Sequence, residues 1–358
     1  MNSIVKQIIV GLTISAIILG ISITGGLIIS DTINFPNFDS EESNYEDTVE
    51  VKLANSTINS ENIAEQSLDS VVTIYSQNQD NDLDSQGSGF MYNDGYIITN
   101  EHVISGMDEY KIEYNKGEWS DAELVGSDEY TDIAVLRPLD TPPSYAESLT
   151  LYSELPNRGV PTIALGAPQG LKGTVTSGVV SGTNRNMDTM TDYSIPDTIQ
   201  TDAALNEGNS GGPLINAESG DVIGLNTATE GENIGFAVSS RMTENIAQSL
   251  IDTGNHEHSL VGIRTVELNP LTQDEYNVDV DNGLIIVDVI DGVDTHEDLI
   301  SDEDNPDVIV GVDGKEINNN EEFISYIMLN TSPGDVITLD VHRNGEIEHV
   351  DIKLSSRN

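Results

Sequence analysis

A serine set between glycines can present its hydroxyl beside a pocket of backbone N–H groups, and the segment Asn206-Glu207-Gly208-Asn209-Ser210-Gly211-Gly212-Pro213 has that composition. A serine hydroxyl is a weak nucleophile at neutral pH and needs a base held by an orienting group. Two upstream segments supply both, Thr99-Asn100-Glu101-His102-Val103 and Thr131-Asp132-Ile133-Ala134-Val135-Leu136. His102 would take the Ser210 proton during attack and return it to the leaving amine, while Asp132 holds the imidazole tautomer. The oxyanion of the tetrahedral intermediate would fall to the N–H groups of Gly208 and Ser210, with Asn209 in the turn between them; losing one such donor typically costs about 3–4 kcal/mol of barrier. Taken singly, each segment also reads as structure: a tight turn, a packed histidine, a buried aspartate. Together, each beside a β-rich apolar run, they point to nucleophilic acyl transfer.

The chain order His, Asp, Ser is that of chymotrypsin-like proteases. The stretch Ile199-Gln200-Thr201-Asp202-Ala203-Ala204-Leu205-Asn206-Glu207-Gly208-Asn209-Ser210-Gly211-Gly212-Pro213-Leu214-Ile215-Asn216, with Gly87-Ser88-Gly89-Phe90 and Ile234-Gly235-Phe236-Ala237-Val238, resembles the HtrA (Deg) family of trypsin-like serine proteases bearing a PDZ domain. The likeness runs from about Ile63 to the C-terminus and is tightest around the three catalytic segments. It implies His102, Asp132 and Ser210 as the triad and Gly208 as an oxyanion-hole residue. It also implies cleavage of misfolded or unfolded proteins outside the cytoplasm, a homotrimer, and regulation by C-terminal peptides at the PDZ domain. A proteolytically silent chaperone or peptide-binding scaffold on the same fold is the alternative reading.

The elements that must position these groups are mainly β. Alternating apolar runs bounded by Gly, Asn, Asp and Pro give six candidate strands on each side of a break near Thr141–Asn157. The first set is Val71–Tyr75, Gln86–Tyr92, Tyr96–Thr99, Tyr110–Tyr114, Glu118–Val125 and Asp132–Arg137. The second is Pro161–Leu165, Lys172–Gly182, Asp197–Thr201, Pro213–Asn216, Val222–Thr229 and Asn233–Val238. Two six-stranded barrels follow, with His102 and Asp132 on the first, Ser210 on the second, and the site in the crevice. A short helix starts the domain at Ser60–Leu68. Another, Ser240–Thr253, closes it, with Met242, Ile246 and Leu250 on one face and Gly254 as a stop. The protease domain is thus 60–255, Gly254–Ser259 is a hinge, and a PDZ-like α+β domain fills 259–356.

In that last domain Leu260-Val261-Gly262-Ile263 stands where the family keeps its carboxylate-binding loop, whose N–H groups capture a peptide terminus while the peptide adds as a strand. An ordinary strand entry is the plain alternative. Gly283–Val289, Asp307–Gly314, a helix at Asn320–Leu329 and Gly334–Arg343 follow in family order. Between Asp279 and Asp307 stand 11 acidic residues and no Lys or Arg; a solvated face explains them better than calcium, since the calcium-loop spacing and its glycine are missing. His256, His258, His296, His342 and His349 lack paired metal spacing and read as surface residues. No metal and no cofactor is expected.

In the family's fold the specificity-pocket wall comes from Leu205, Asn226, Thr227, Ala228, Ile234 and Phe236. No acid stands there to read Lys or Arg, so a small or medium apolar side chain before the scissile bond is expected; Leu205 reads equally as core.

Residues Gln7 to Ser30 carry no charge, and Ile8–Ile29 as a helix would span about 33 Å, enough for a hydrocarbon core of about 30 Å. A retained single-pass anchor over 1–30 is the reading, with a cleaved signal peptide as its rival. Lys6 on the near side places the bulk of the chain extracytoplasmic, at the cell membrane. Residues 31–59, rich in Glu, Asp, Asn and Ser, read as an acidic disordered tether. Asp and Glu number 62 against 14 Lys and Arg, a formal charge of −48, which opposes binding to nucleic-acid phosphates and suggests a saline setting. Cysteine is absent, which excludes disulfides and thiolate chemistry. The sequons Asn55-Ser56-Thr57 and Asn330-Thr331-Ser332 permit glycosylation.

Overall fold

Strands β1 (Val71–Asn78), β2 (Leu83–Tyr92), β3 (Tyr96–Thr99), β4 (Glu109–Tyr114), β5 (Trp119–Asp128) and β6 (Ile133–Pro138) close into an antiparallel barrel in the order β1-β2-β3-β6-β5-β4. A second barrel, order β10-β11-β12-β9-β8-β7, is made by β7 (Pro161–Gly166), β8 (Thr174–Asp188), β9 (Ser194–Thr201), β10 (Pro213–Asn216), β11 (Val222–Thr229) and β12 (Gly235–Ser239). The computed structural model describes residues 60–78, 83–167, 173–188, 194–206, 208–229, 233–290, 299–302 and 305–357. All twelve strands expected from period-two patterning are present, three of them (Tyr96–Thr99, Pro213–Asn216 and Val222–Thr229) with the expected ends and the rest shifted, the largest shift being β8, which runs on to Asp188. Closure leaves neither barrel an open edge. The anchor, the tether, Asn55, His296 and most of the acidic run lie outside the described residues. Among the described residues no helix is long and apolar enough to cross a membrane.

Inside the first barrel Val72, Ile74, Met91, Ile97, Ile112 and Leu136 pack together, and inside the second Ala164, Val180, Ile199, Leu214, Ile223 and Ala237. A helix at 60–68, α1, precedes β1. A single helical turn, α2 (Glu101–Ile104), follows β3. Helix α3 (Ser240–Thr253) lies against β5 and β6 of one barrel and β11 and β12 of the other. Its expected face of Met242, Ile246 and Leu250 is fully buried, worth roughly 1.5–3 kcal/mol per side chain. The Ser239 hydroxyl caps its start by accepting from the Met242 N–H, and the helix stops at Gly254.

The C-terminal sheet runs β14 (Ile263–Glu267), β15 (Leu284–Val289), β16 (Val308–Val312), β18 (Val336–Arg343) and β19 (Glu346–Lys353), with β17 (Lys315–Glu316) on β16. The pair β13 (Ser259–Leu260) and β20 (Ser355–Ser356) ties its entry to its exit. Helices α4 (Pro270–Tyr276) and α5 (Asn320–Asn330) complete it. Leu284, Ile309, Leu339, Ile352 and Phe323 form its separate core.

The segment Gly254–Ser259, expected as a hinge, leads into a domain whose helix α5 packs against β8 and β9. The Met328 side chain of α5 belongs to the cluster that holds Met187 and Ile195 of β8 and β9, and the Ser325 hydroxyl donates to Asn184 Oδ1 at 2.6 Å. The reading of His258 as a surface residue is corrected: it is 4% exposed, and its Nε2 meets Asp128 Oδ1 at 2.8 Å. Composition hid this because the partner lies 130 residues away, at the end of β5.

Candidate active site

His102 sits in the middle of α2, directly after β3. Asp132 precedes β6 rather than opening it, at φ +57°, a left-handed conformation that aspartate tolerates better than most residues. From there its carboxylate grips His102 twice. Oδ1 accepts the His102 backbone N–H at 2.9 Å, and Oδ2 lies 2.8 Å from Nδ1 of the ring. The Asp132 side chain is 11% exposed and that of His102 49%, so the ring is more open to solvent than the carboxylate that anchors it. Burial works against the imidazolium, but the hydrogen bond and charge of Asp132, with Glu101 adding to them, hold the His102 pKa above its ordinary value.

Ser210 lies in successive tight turns. The Asn209 N–H donates to the Asn206 carbonyl and the Gly212 N–H to the Asn209 carbonyl, both at 2.9 Å. The Asn209 N–H is therefore spent on the turn, and Asn209 contributes shape rather than a donor. The N–H groups of Gly208 and Ser210 have no hydrogen-bond partner among the described residues. Gly208 stands at φ +99°, which a side chain would resist. Gly211, at φ +83°, lies so close to β2 that a Cβ there would come 2.0 Å from the Ser88 carbonyl oxygen.

Two residues passed over in the sequence join the barrels here. Asn100, wholly buried, donates through Nδ2 to the Asp132 carbonyl at 2.9 Å and to Thr227 Oγ1 at 3.0 Å. The Thr227 carbonyl in turn accepts the Ser210 hydroxyl at 3.1 Å. Hydrogen bonds thus tie His102, Asp132, Asn100, Thr227 and Ser210 together residue by residue, through the side chain and then the backbone carbonyl of Asp132 and of Thr227, while among the described residues the Ser210 hydroxyl bonds to Thr227 and not to His102. Ser88, also wholly buried, donates to the Gly208 carbonyl. The signals were the T-N-E-H and G-S-G-F contexts.

The expected specificity residues divide. Asn226 is 1% exposed, with its amide donating to the Pro213 carbonyl and its backbone paired to Gly211 and Gly212, so it supports the serine turn. Leu205 lies in the second barrel's core, so close that a Cβ on Gly235 would come 2.8 Å from its Cδ1. Phe236 packs in the core that α3 shares, whereas Ile234 is 36% exposed. The side chain of Ala228 lies outside the described set.

At the C-terminal domain, Leu260, Val261, Gly262 and Ile263 line a cavity of about 340 Å³ with Phe323 and Ile327 of α5, and Tyr130 of the first barrel forms part of its wall. Among the described residues no cluster of three His, Asp or Glu is arranged to hold a metal ion.

Known proteins carry the same combination. Residues 87–225 match the family model of the trypsin-like peptidase domain and residues 259–354 that of the PDZ domain. The periplasmic pH-dependent serine endoprotease DegQ of Escherichia coli is 35% identical over 280 residues, covering 75% of this chain and 59% of DegQ. Serine protease Do-like HtrA of Bacillus subtilis is 32% identical over 340 residues, covering 89% of this chain and 75% of that protein. A solved structure of the HtrA-type protease AlgW with a tripeptide superposes with a TM-score of 0.71 at 31% identity, covering 84% of this chain and 97% of that one. The chain thus spans less than two thirds of DegQ's length, although it covers most of the Bacillus relative. By its two matched domains, its paired barrels and these relatives, the chain belongs to the HtrA family of trypsin-like serine proteases carrying a PDZ domain.

Proposed function

We propose that this protein is a serine endopeptidase in which Ser210 is the nucleophile, His102 the general base and then acid, and Asp132 the group that orients and stabilises the imidazolium. The observation that carries this is the bonded path from His102 through Asp132, Asn100 and Thr227 to Ser210, which spans both barrels. For attack, the Ser210 hydroxyl turns about its Cα–Cβ bond from the Thr227 carbonyl toward the free ring nitrogen of His102. The N–H groups of Gly208 and Ser210 then receive the oxyanion. Leu205, Thr227 and Ile234 bound a pocket for a small or medium apolar side chain.

The substrates are misfolded or unfolded proteins outside the cytoplasm, a reading supported by relatives named as periplasmic proteases. Residues 1–30 tether the enzyme to the membrane, 31–59 give it reach, and it works as a homotrimer. The loop at Leu260, Val261, Gly262 and Ile263 takes peptide C-termini, and the Tyr130 wall of its cavity supports a regulatory link to the protease domain.

Cleavage of unfolded casein by the full chain in detergent, with and without Ser210→Ala, tests the reading. Cleavage by the parent alone is expected. Silence from both, across salt and added C-terminal peptides, would favour the non-cleaving scaffold. A peptide library that returned a basic preference would sink the pocket assignment.

A further inference from the structure

Ser88 belongs to the first barrel and the Ser210 turn to the second, yet Ser88 holds that turn at two points. It is fully buried in β2. Its Oγ donates to the Gly208 carbonyl at 2.5 Å and accepts the Ala167 N–H at 2.9 Å. Its backbone N–H donates to the Ser210 carbonyl at 2.8 Å, and its own carbonyl takes the Thr99 hydroxyl at 2.7 Å. Thr99 ends the strand that leads to His102.

A peptide unit is planar, so fixing a carbonyl fixes the N–H across the same plane. The Gly208–Asn209 plane is held by the Ser88 hydroxyl and the Ser210–Gly211 plane by the Ser88 N–H. Between them lies the Asn209–Ser210 plane, which bears the Ser210 N–H. Gly208 has left-handed backbone and no side chain to limit its rotation, so the aim of this turn comes from its partners. The other donor to the Gly208 carbonyl, the Ala167 N–H, stands at 3.3 Å and is shared with Ser88 Oγ, so the Ser88 hydroxyl makes the shorter of the two bonds.

We propose that Ser88 is a positioning residue for the tetrahedral intermediate: its hydroxyl, reaching across from the first barrel, aims the turn so that the Gly208 and Ser210 N–H groups converge on the oxyanion. The inference rests on the reading of Ser210 as nucleophile. It makes a claim about geometry at the transition state, where an error of about 1 Å costs on the order of 10²-fold in rate.

The test uses the full chain in detergent as parent, Ser88→Ala, Ser88→Cys and Ser210→Ala. Each is measured for kcat and KM on one cleaved peptide, for thermal unfolding, and for inhibition by a peptide boronic acid, where Ser210 Oγ adds to boron and its proton passes to His102. Ser88→Ala is expected to lose about 10–100-fold in kcat with KM nearly unchanged, and to lose boronate affinity by the same factor as kcat/KM. Ser88→Cys keeps a donor at the same position, though a weaker and bulkier one, and should fall between. A Ser88→Ala protein with parental kcat, or one that loses stability and kcat while its active fraction keeps parental boronate affinity, overturns the proposal. Should Ser88→Ala not fold, a Ser88→Cys variant indistinguishable from the parent overturns it as well. Failure of the underlying reading shows separately, as a parent that neither cleaves nor binds the boronate, or a Ser210→Ala protein that cleaves as well as the parent.

Discussion

Two histidine–aspartate pairs stand at the ends of one short loop, four residues apart on the acid side, and they are built for opposite ends. At one end Asp132 holds His102 by Nδ1 and by the backbone N–H, leaving a ring that is half exposed. At the other, Asp128 takes Nε2 of His258 with both side chains at 5% exposure or less, and the remaining His258 nitrogen is buried with no hydrogen-bond partner among the described residues. Asp128 spends its second oxygen on the Thr131 N–H and hydroxyl. On the proposed reading the open ring of the first pair serves proton transfer; the second pair is shut away from solvent and ties the PDZ segment to the barrel. A histidine beside an aspartate is therefore no mark of catalysis until the exposure of the other nitrogen is known.

Breaking the first pair gives the largest effect. Asp132→Asn leaves shape but favours the wrong imidazole tautomer, and kcat on casein-derived peptides is expected to fall about 10⁴-fold with the thermal midpoint little changed. Breaking the second should do the reverse. His258→Ala strands a buried carboxylate, so chemical denaturation should show a loss of about 3–5 kcal/mol, without the collapse in kcat. A His258→Ala protein as stable as the parent would mean that Asp128 is satisfied by Thr131 alone.

The same contrast marks what was legible in the sequence. Both barrels, α3 with its buried face, and the meeting of His102 with Asp132 came from local signals: period-two runs, a helical stripe, and short segments whose residue types suit one reaction. What escaped depends on partners remote in sequence. Asp128 and His258, Asn100 and Thr227, and Ser88 and Gly208 lie at least 120 residues apart, so no window contains both members. The packing of the PDZ domain on the second barrel escaped for the same reason, since Met328 looks like core of its own domain until it is found in one cluster with Met187 and Ile195. Leu205 shows the converse: beside the serine in sequence, it belongs to the barrel core rather than wholly to the pocket.

Asn100 sharpens the comparison because it touches the first pair from behind, through the Asp132 backbone. Its amide bonds the Asp132 backbone to Thr227, so Asn100→Ala should leave two buried acceptors weakened and lower stability by about 1–3 kcal/mol. If the path matters for chemistry, kcat falls beyond what the folded fraction explains. Equal losses of stability and of active fraction would reduce Asn100 to a structural tie.

The smallest effects are in pH, and their signs differ between the pairs. His102 has a raised pKa because Asp132's hydrogen bond and charge outweigh burial. Since the base must be neutral, the acid limb of kcat/KM should lie above the ordinary histidine value near 6.5, and Asp132→Asn should move it down. For stability, a raised histidine pKa contributes fully below the unfolded value and is lost as pH rises through the folded one. Asp128 runs the other way. Burial alone would raise its pKa, but the hydrogen bond and charge of His258, with Thr131, hold it below the ordinary value. Its contribution is present above the unfolded pKa near 3.9 and is lost as pH falls through the folded one. Thermal midpoints from pH 3 to 8 should therefore show the His258→Ala protein losing its difference from the parent at the acid end, and the Asp132→Asn protein losing its difference as pH rises past the His102 pKa. Curves that stayed parallel across the range would show that neither pair changes its proton count on unfolding, and would reduce both to neutral hydrogen bonds.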